Sequence, residues 1–232
     1  AIRRENGTRL WRKPLPGGQH ARHEPKAKPF NGNNLVMGRG SVVGQVFLAH
    51  KDVNAISFTG SVDTGSKVAM ACAARGAKFQ LEMGGKNPLV VMADANLDAA
   101  VAGAVDGAFF QTGQRCTASS RLIVDATVHD AFVEKAVAAM QALKVDHALK
   151  DGTQIGPVVD DKQLAQDEKY IDIARKEGGT LAWGGERLNR DTKGHFLSPA
   201  LITNTTNDMR INREEVFGPV ASVIKVNGYD EA

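Results

Sequence analysis

The strongest constraint on the fold is an alternation of short apolar runs with longer stretches of helical period. Ala55 to Phe58, Lys78 to Glu82, Asn87 to Met92, Arg121 to Val124, Thr180 to Trp183, Phe196 to Ile202 and Val220 to Val226 read as strands. Helical segments lie between many of them. Ser61 suits an N-cap for a helix running to Arg75, with Asp63 in its first turn. Leu97, Val101, Val105 and Phe109 recur every four residues, one stripe of a second helix. Phe132, Val133, Val137, Met140 and Leu143 give the core face of a third, opened by Thr127 with Asp130 three residues on as a capping-box variant. Leu164, Ile171 and Ala174 face inward on a fourth, which stops at Gly178-Gly179. Asn204 to Arg213 reads as polar and irregular, and Tyr229 to Ala232 as the opening of a further helix. Alternating strands and helices indicate an α/β architecture. The nearly continuous apolar run from Asn87 to Met92 suits a parallel sheet covered on both faces.

The chain of 232 residues accommodates one large domain or two smaller ones. Its net charge of +3 is unevenly placed, because residues 1–30 hold five Arg and three Lys against two Glu. A basic arm raises nucleic acid as a partner, but no aromatic-interleaved or groove-reading motif accompanies it, so none is expected. No apolar run approaches the ~20 residues that span a bilayer, and no signal peptide is read, so no membrane association is expected. Two cysteines favour a reducing, cytoplasmic setting. The six histidines are dispersed without metal-ligand spacing, and no metal is expected. Residues 1–33 lack apolar period and are broken by Pro14, Pro16, Gly17 and Gly18, which gives an irregular or non-native arm.

Chemistry concentrates at Phe110-Gln-Thr-Gly-Gln-Arg-Cys-Thr117, where a lone cysteine follows a helical stripe in a polar, glycine-containing stretch. A thiol with a pKa of about 8.5 attacks carbonyls only as thiolate. Cys116 therefore needs a neighbouring positive charge, for which Arg115 is a candidate, or a base, for which Glu82 is one. The bland alternative for a single cysteine is a small core hydrophobe, the reading given to Cys72 among its alanines. Thr59-Gly60-Ser61 ends a strand and opens a helix, a place where a diphosphate can seat on free N–H groups or where a helix is merely capped. The Gly38–Gly44 turn before a helical stretch ending near His50 is a weaker signal of the same kind.

Four stretches together resemble the aldehyde dehydrogenase superfamily. They are Phe58-Thr-Gly-Ser61, Leu81-Glu-Met-Gly-Gly-Lys-Asn-Pro88, Gly113-Gln-Arg-Cys116 and Glu214-Glu-Val-Phe-Gly-Pro219, in the family order and with the family's glutamate-to-cysteine spacing. The likeness runs from about Asn34 onward. Around Met37 to Gly40, Gln111 to Val124 and Asn207 to Glu215 the wording is most similar to bacterial 2-oxoglutarate semialdehyde dehydrogenases.

The resemblance implies part of a Rossmann-type cofactor domain over residues 34–83, followed by an α/β catalytic domain over 84–232 that is C-terminally truncated. It implies Cys116 as nucleophile and Glu82 as general base. It sets Thr59, Gly60 and Ser61 beside the dinucleotide pyrophosphate, Glu215 on the nicotinamide ribose and Phe217 beside that ring. Arg115 lowers the thiol's pKa, meets a substrate carboxylate or is simply an exposed arginine in a polar loop, and Lys86 is left as structural. The cofactor expectation is NAD or NADP, the substrate a carboxylate-bearing semialdehyde such as 2,5-dioxopentanoate, and the assembly a homodimer or homotetramer in the full-length protein. The family's Pro-Trp-Asn motif, which supplies a second oxyanion donor, is absent. The expectation is therefore an internal fragment, and the competing readings are a catalytically dead remnant that binds dinucleotide or partner subunits and a cysteine hydrolase with a histidine base.

Overall fold

The computed structural model describes residues 35–232, so the N-terminal arm lies outside the described residues. These fall into two compact units that divide between Glu82 and Met83. In the first, helix α1 (Gly40–Ala49) and helix α2 (Val62–Ala73) accompany a two-stranded sheet of β1 (Ala55–Gly60) and β2 (Lys78–Met83). Ser61 caps α2 by accepting from the Thr64 N–H at 3.3 Å, and Asp63 adds a favourable charge to the first turn. Cys72 is fully buried on α2 and belongs to the packing of that unit. Gly38, in the glycine-rich turn, faces the Val43 side chain and serves close packing there.

The second unit is one five-stranded sheet with helices on both faces. Its elements are β3 (Pro88–Val91), α3 (Leu97–Phe109), a 3₁₀ turn (Phe110–Gly113), β4 (Arg121–Asp125), α4 (His129–Gln141), α5 (Asp161–Lys176), β5 (Thr180–Trp183), β6 (Ala200–Thr205), α6 (Arg210–Arg213) and β7 (Val220–Val226). The strand order is β3-β4-β7-β6-β5, with β5 antiparallel on one edge and the other neighbours parallel. Alternation along each strand sorts the side chains between two faces. Leu122, Val124, Ala221 and Val223 point to α3 and α4, where they meet Val101, Val105, Phe109 and Phe132. Ala200, Ile202 and Val220 point to the opposite face, against Ile171, Ala174 and Ile211 of α5 and α6.

Several local expectations change. The stretch from Asn204 to Arg213, expected to be irregular, completes β6 to Thr205 and forms α6 at its end. Thr127 does not cap α4, because its N–H and hydroxyl both donate to Asp125 Oδ1, at 2.9 and 2.6 Å, and the helix starts two residues later. The strand expected from Phe196 begins only at Ala200. Val158 pairs with His195, and Arg187 with Leu197, outside the main sheet, and Pro199 offers no N–H to continue a ladder. Tyr229 to Glu231 form a turn and not a helical start. The β3 strand is parallel as expected but lies on the sheet edge, with Val90 well exposed.

Candidate active site

Three loops meet at the amino ends of the parallel strands β3, β4 and β7. They are Gly84–Asn87, Gly113–Ser120 and Glu214–Pro219, each running directly into its strand. Parallel pairing of those strands in the order β3-β4-β7 is what brings residues some thirty and a hundred positions apart side by side.

Cys116 is a free, exposed thiol in the middle loop. The turn before it is wound through a left-handed run, with Gln111 at φ 52°, Thr112 at 61° and Gly113 at 64°. Such backbone is costly for residues with a Cβ, so it persists only where surroundings hold it. Buried Thr112 donates its hydroxyl to the Gly156 carbonyl at 3.3 Å, and Gln114 accepts from the Val159 N–H at 2.9 Å. Gly113 lies so close to the Gly218 carbonyl that any Cβ would collide with it. On the far side, Asn87 Nδ2 donates to the Cys116 carbonyl at 2.6 Å and to that of Ala118 at 3.3 Å. The Cys116 N–H makes no hydrogen bond among the described residues, which leaves a donor beside the thiol for a developing oxyanion.

Arg115 turns back on the preceding helix. Its Nη2 donates to the carbonyls of Asp106 and Gly107, at 3.2 and 2.8 Å, near the C-terminal end of α3, and its guanidinium lies 5.7 Å from the Phe110 ring centre. Nη1 makes no hydrogen bond among the described residues.

The third loop supplies Glu215 and Phe217. A methyl group on Gly84 would fall inside the Glu215 carboxylate, so the Gly-Gly pair makes room for it. Glu215 accepts the Gly85 N–H, while its Oε1 is buried without a partner. Burial raises its pKa, against the lowering pull of that hydrogen bond and of Lys86. Lys86 is partly buried, and its Nζ is buried without a partner. Desolvation first, then repulsion by Arg121, brings it down to about 8, with Glu215 opposing. Only about 10 Å³ of open space remains among Gly85, Gly113, Arg115, Glu215 and Gly218. Phe217 sits at φ 62° with 38 % of its surface exposed.

In the first unit, Thr59 and Gly60 end β1 and Ser61 caps α2, all three exposed. Glu82 is exposed near the end of β2 and accepts from Gln80 Nε2 at 2.9 Å. Among the described residues no three His, Cys, Asp or Glu side chains are grouped to hold a metal ion, and no helix is long and apolar enough to cross a membrane.

A family model described as the aldehyde dehydrogenase family matches residues 29–232. The chain belongs to that family. It is 44 % identical over 201 residues to the alpha-ketoglutaric semialdehyde dehydrogenase of Bacillus subtilis strain 168, covering 86 % of this chain and 41 % of the relative. It is 40 % identical to the betaine aldehyde dehydrogenase of the same organism, over 85 % of this chain and 41 % of that one. Among solved structures, a betaine aldehyde dehydrogenase from Staphylococcus aureus in complex with NAD+ superposes with a TM-score of 0.83 at 38 % identity, over 85 % of this chain and 40 % of that one. The chain thus spans about two fifths of the length of these aldehyde dehydrogenases, and its α/β fold is theirs.

Reading the sequence did not single out Asn87 as a loop fastener, nor the Lys86–Glu215–Arg121 cluster, nor the part taken by α5. Asn87 lies inside the Gly-Gly-Lys-Asn-Pro stretch, which was the available signal. The others arise from pairing across the sheet.

Proposed function

We propose that this chain carries the nucleophile and part of the cofactor site of an NAD(P)-dependent enzyme that oxidises an aldehyde to a carboxylic acid. The observation that supports it most is the exposed Cys116 thiol beside its own unpaired N–H, in a loop fastened on three sides. The thiolate adds to the aldehyde carbon, and the oxyanion of the adduct takes the Cys116 N–H. Loss of hydride converts the adduct to a thioester. A water molecule deprotonated by Glu82 cleaves the thioester, releasing the acid and restoring the thiol. When bound, the dinucleotide supplies the hydride acceptor.

The residues present fit that cofactor. Glu215 presents a buried carboxylate oxygen with no partner, and Phe217 an exposed ring, in one loop. Thr59, Gly60 and Ser61 offer the start of α2 to a pyrophosphate. Glu215 would take the nicotinamide ribose and Phe217 would line that ring. The full-length protein is read as a homodimer or homotetramer acting in the cytoplasm.

The enzyme, assayed at the full length of its relatives, should release NAD(P)H steadily with an aldehyde. Absence of any dinucleotide-dependent signal would favour a remnant that only binds. Glu82→Gln should keep a pre-steady-state burst of NAD(P)H and slow the steady rate on the order of 10²-fold, the usual scale for a general base. Equal loss of burst and steady rate would remove Glu82 from deacylation.

For substrate we propose a semialdehyde with a remote carboxylate, 2,5-dioxopentanoate in first place. The similarity to an alpha-ketoglutaric semialdehyde dehydrogenase supports it, as does Arg115, whose Nη1 keeps a donor for an anion while Nη2 is spent on α3. A charge-assisted hydrogen bond of about 1.5–3 kcal/mol corresponds to roughly ten- to hundredfold in kcat/KM over pentanal. Equal values for pentanal and the dioxo-acid would end this reading. If Arg115→Leu kept the preference, other residues would be its source.

A further inference from the structure

The Glu214–Pro219 loop is held from below by one face of α5, and that face contains a carboxylic acid where none is needed for packing. Asp167 is fully buried. Its Oδ1 accepts from Gln163 Nε2 at 2.8 Å, and its Oδ2 has no partner. The same Gln163 amide donates to the Val216 carbonyl at 2.9 Å, which also receives Gln166 Nε2 at 2.8 Å. Asp167 presses on the Gly218 backbone so closely that a Cβ there would overlap the carboxyl group, and the Gly218 carbonyl in turn abuts Gly113. A continuous stack thus runs from Asp167 through Gly218 to the turn before Cys116.

We propose that Asp167 is a positioning residue that clamps the Val216–Gly218 turn most tightly as the neutral acid, and that its ionisation slackens the turn. The charged groups around it offer the ionised form no relief. On α5, Glu168 is of like sign and is committed to Arg187. Tyr170 donates to Glu214, which Arg210 also grips; these bonds hold Glu214 at about 2, while burial first and then the Glu214 contact raise Tyr170 to about 12, so neither titrates near neutrality. In the packed loops, Glu215 turns to Gly85 and Arg115 to α3. Burial raises Asp167 to about 7, against the lowering effect of the Gln163 hydrogen bond.

The sign follows from linkage. A carboxyl raised from an unperturbed ~3.9 to about 7 binds its proton in the closed turn and releases it in the open one. Closure therefore weakens as pH rises from about 4 to 7 and levels off above. Between pH 6 and pH 8 the opening equilibrium should grow roughly tenfold. Slackening also releases Glu215 and Phe217, a consequence that rests on the cofactor reading given above.

The test is amide hydrogen exchange of the 214–220 peptide in this chain at pH 6 and 8, corrected for intrinsic rates, with NADH fluorescence titrations alongside. Wild type should lose about tenfold protection there at pH 8, with the β6 peptide unchanged. Asp167→Asn, or Asp167→Leu should the amide not fold, should show no such pH dependence. Equal pH response in wild type and variant, or none in either, overturns the proposal. If exchange follows Asp167 while NADH affinity is indifferent to it, the clamp stands and the cofactor reading of Glu215 and Phe217 falls.

Discussion

Replacing Cys116 with serine in the full-length enzyme will lower aldehyde oxidation by more than about 10³-fold while dinucleotide affinity stays within about twofold. The size follows from the chemistry. A serine hydroxyl is almost wholly protonated at neutral pH, whereas a thiol with a pKa of about 8.5 is already a few per cent thiolate and a stronger nucleophile. A loss of 10³ in rate corresponds to about 4 kcal/mol of barrier. The loop should not move, because its fasteners act on backbone and neighbours, through Asn87 to the Cys116 and Ala118 carbonyls and through Thr112 and Gln114 to the 156–159 segment. Initial rates of NAD(P)H formation with the dioxo-acid and a fluorescence titration of cofactor measure the two halves. Turnover near wild type in the serine variant would take the nucleophile away from this loop.

The second large effect is on stability. Gly113→Ala should lower the stability of the second unit by roughly 2–5 kcal/mol. A left-handed φ of 64° costs an L-residue about 1–2 kcal/mol, and the new methyl group meets the Gly218 carbonyl, a backbone atom that cannot swing aside, for another 1–3 kcal/mol of overpacking. For a unit of this size the melting temperature should fall by about 5–15 °C. Gly184→Ala is the matched control, since Gly184 has φ 72° and faces the Pro199 carbonyl away from the cysteine loop. Both should melt early, but only Gly113→Ala should also change the rate at which iodoacetamide alkylates Cys116. A melting temperature within a degree or two of wild type for Gly113→Ala would refute the close approach.

Elements with strong apolar period were legible. The stripe at Leu97, Val101, Val105 and Phe109 is a helix packed on β4, and the run from Val220 to Val226 is a strand over those residues. Errors arose where an apolar or capping residue was engaged by something distant or unexpected. Phe196 and Leu197 are buried, which is why they resemble a strand, yet their surroundings pair with residues 158 and 187 and not with the sheet. Thr127 resembles a cap, but Asp125 takes its hydroxyl.

The site divides in the same way. Cys116 declares itself through local composition, whereas Glu215 gains meaning only when β7 lies beside β4 and Gly84 gives it space. Asp167 is invisible in sequence because it stands on a polar helix among Gln163, Gln166 and Glu168, where a solvated face would be read. Open α/β sheets usually bind ligands at strand carboxyl ends. Here the cysteine and glutamate loops precede their strands, so that general rule would have directed attention away from them.

The place of β7 in the sheet has a consequence for how the molecule is made. It is the last strand along the described chain, yet it inserts between β4 and β6, pairing Arg121 with Ser222 on one side and Ala200 with Val220 on the other. Until β7 leaves the ribosome, β4 and β6 each present an unpaired edge, the kind of surface that recruits foreign strands. Closing the gap joins positions about a hundred residues apart, a high contact order that slows the docking of β7. Thiol and carboxylate therefore meet only once β7 has docked, and a nascent chain should need shielding of those two edges until then.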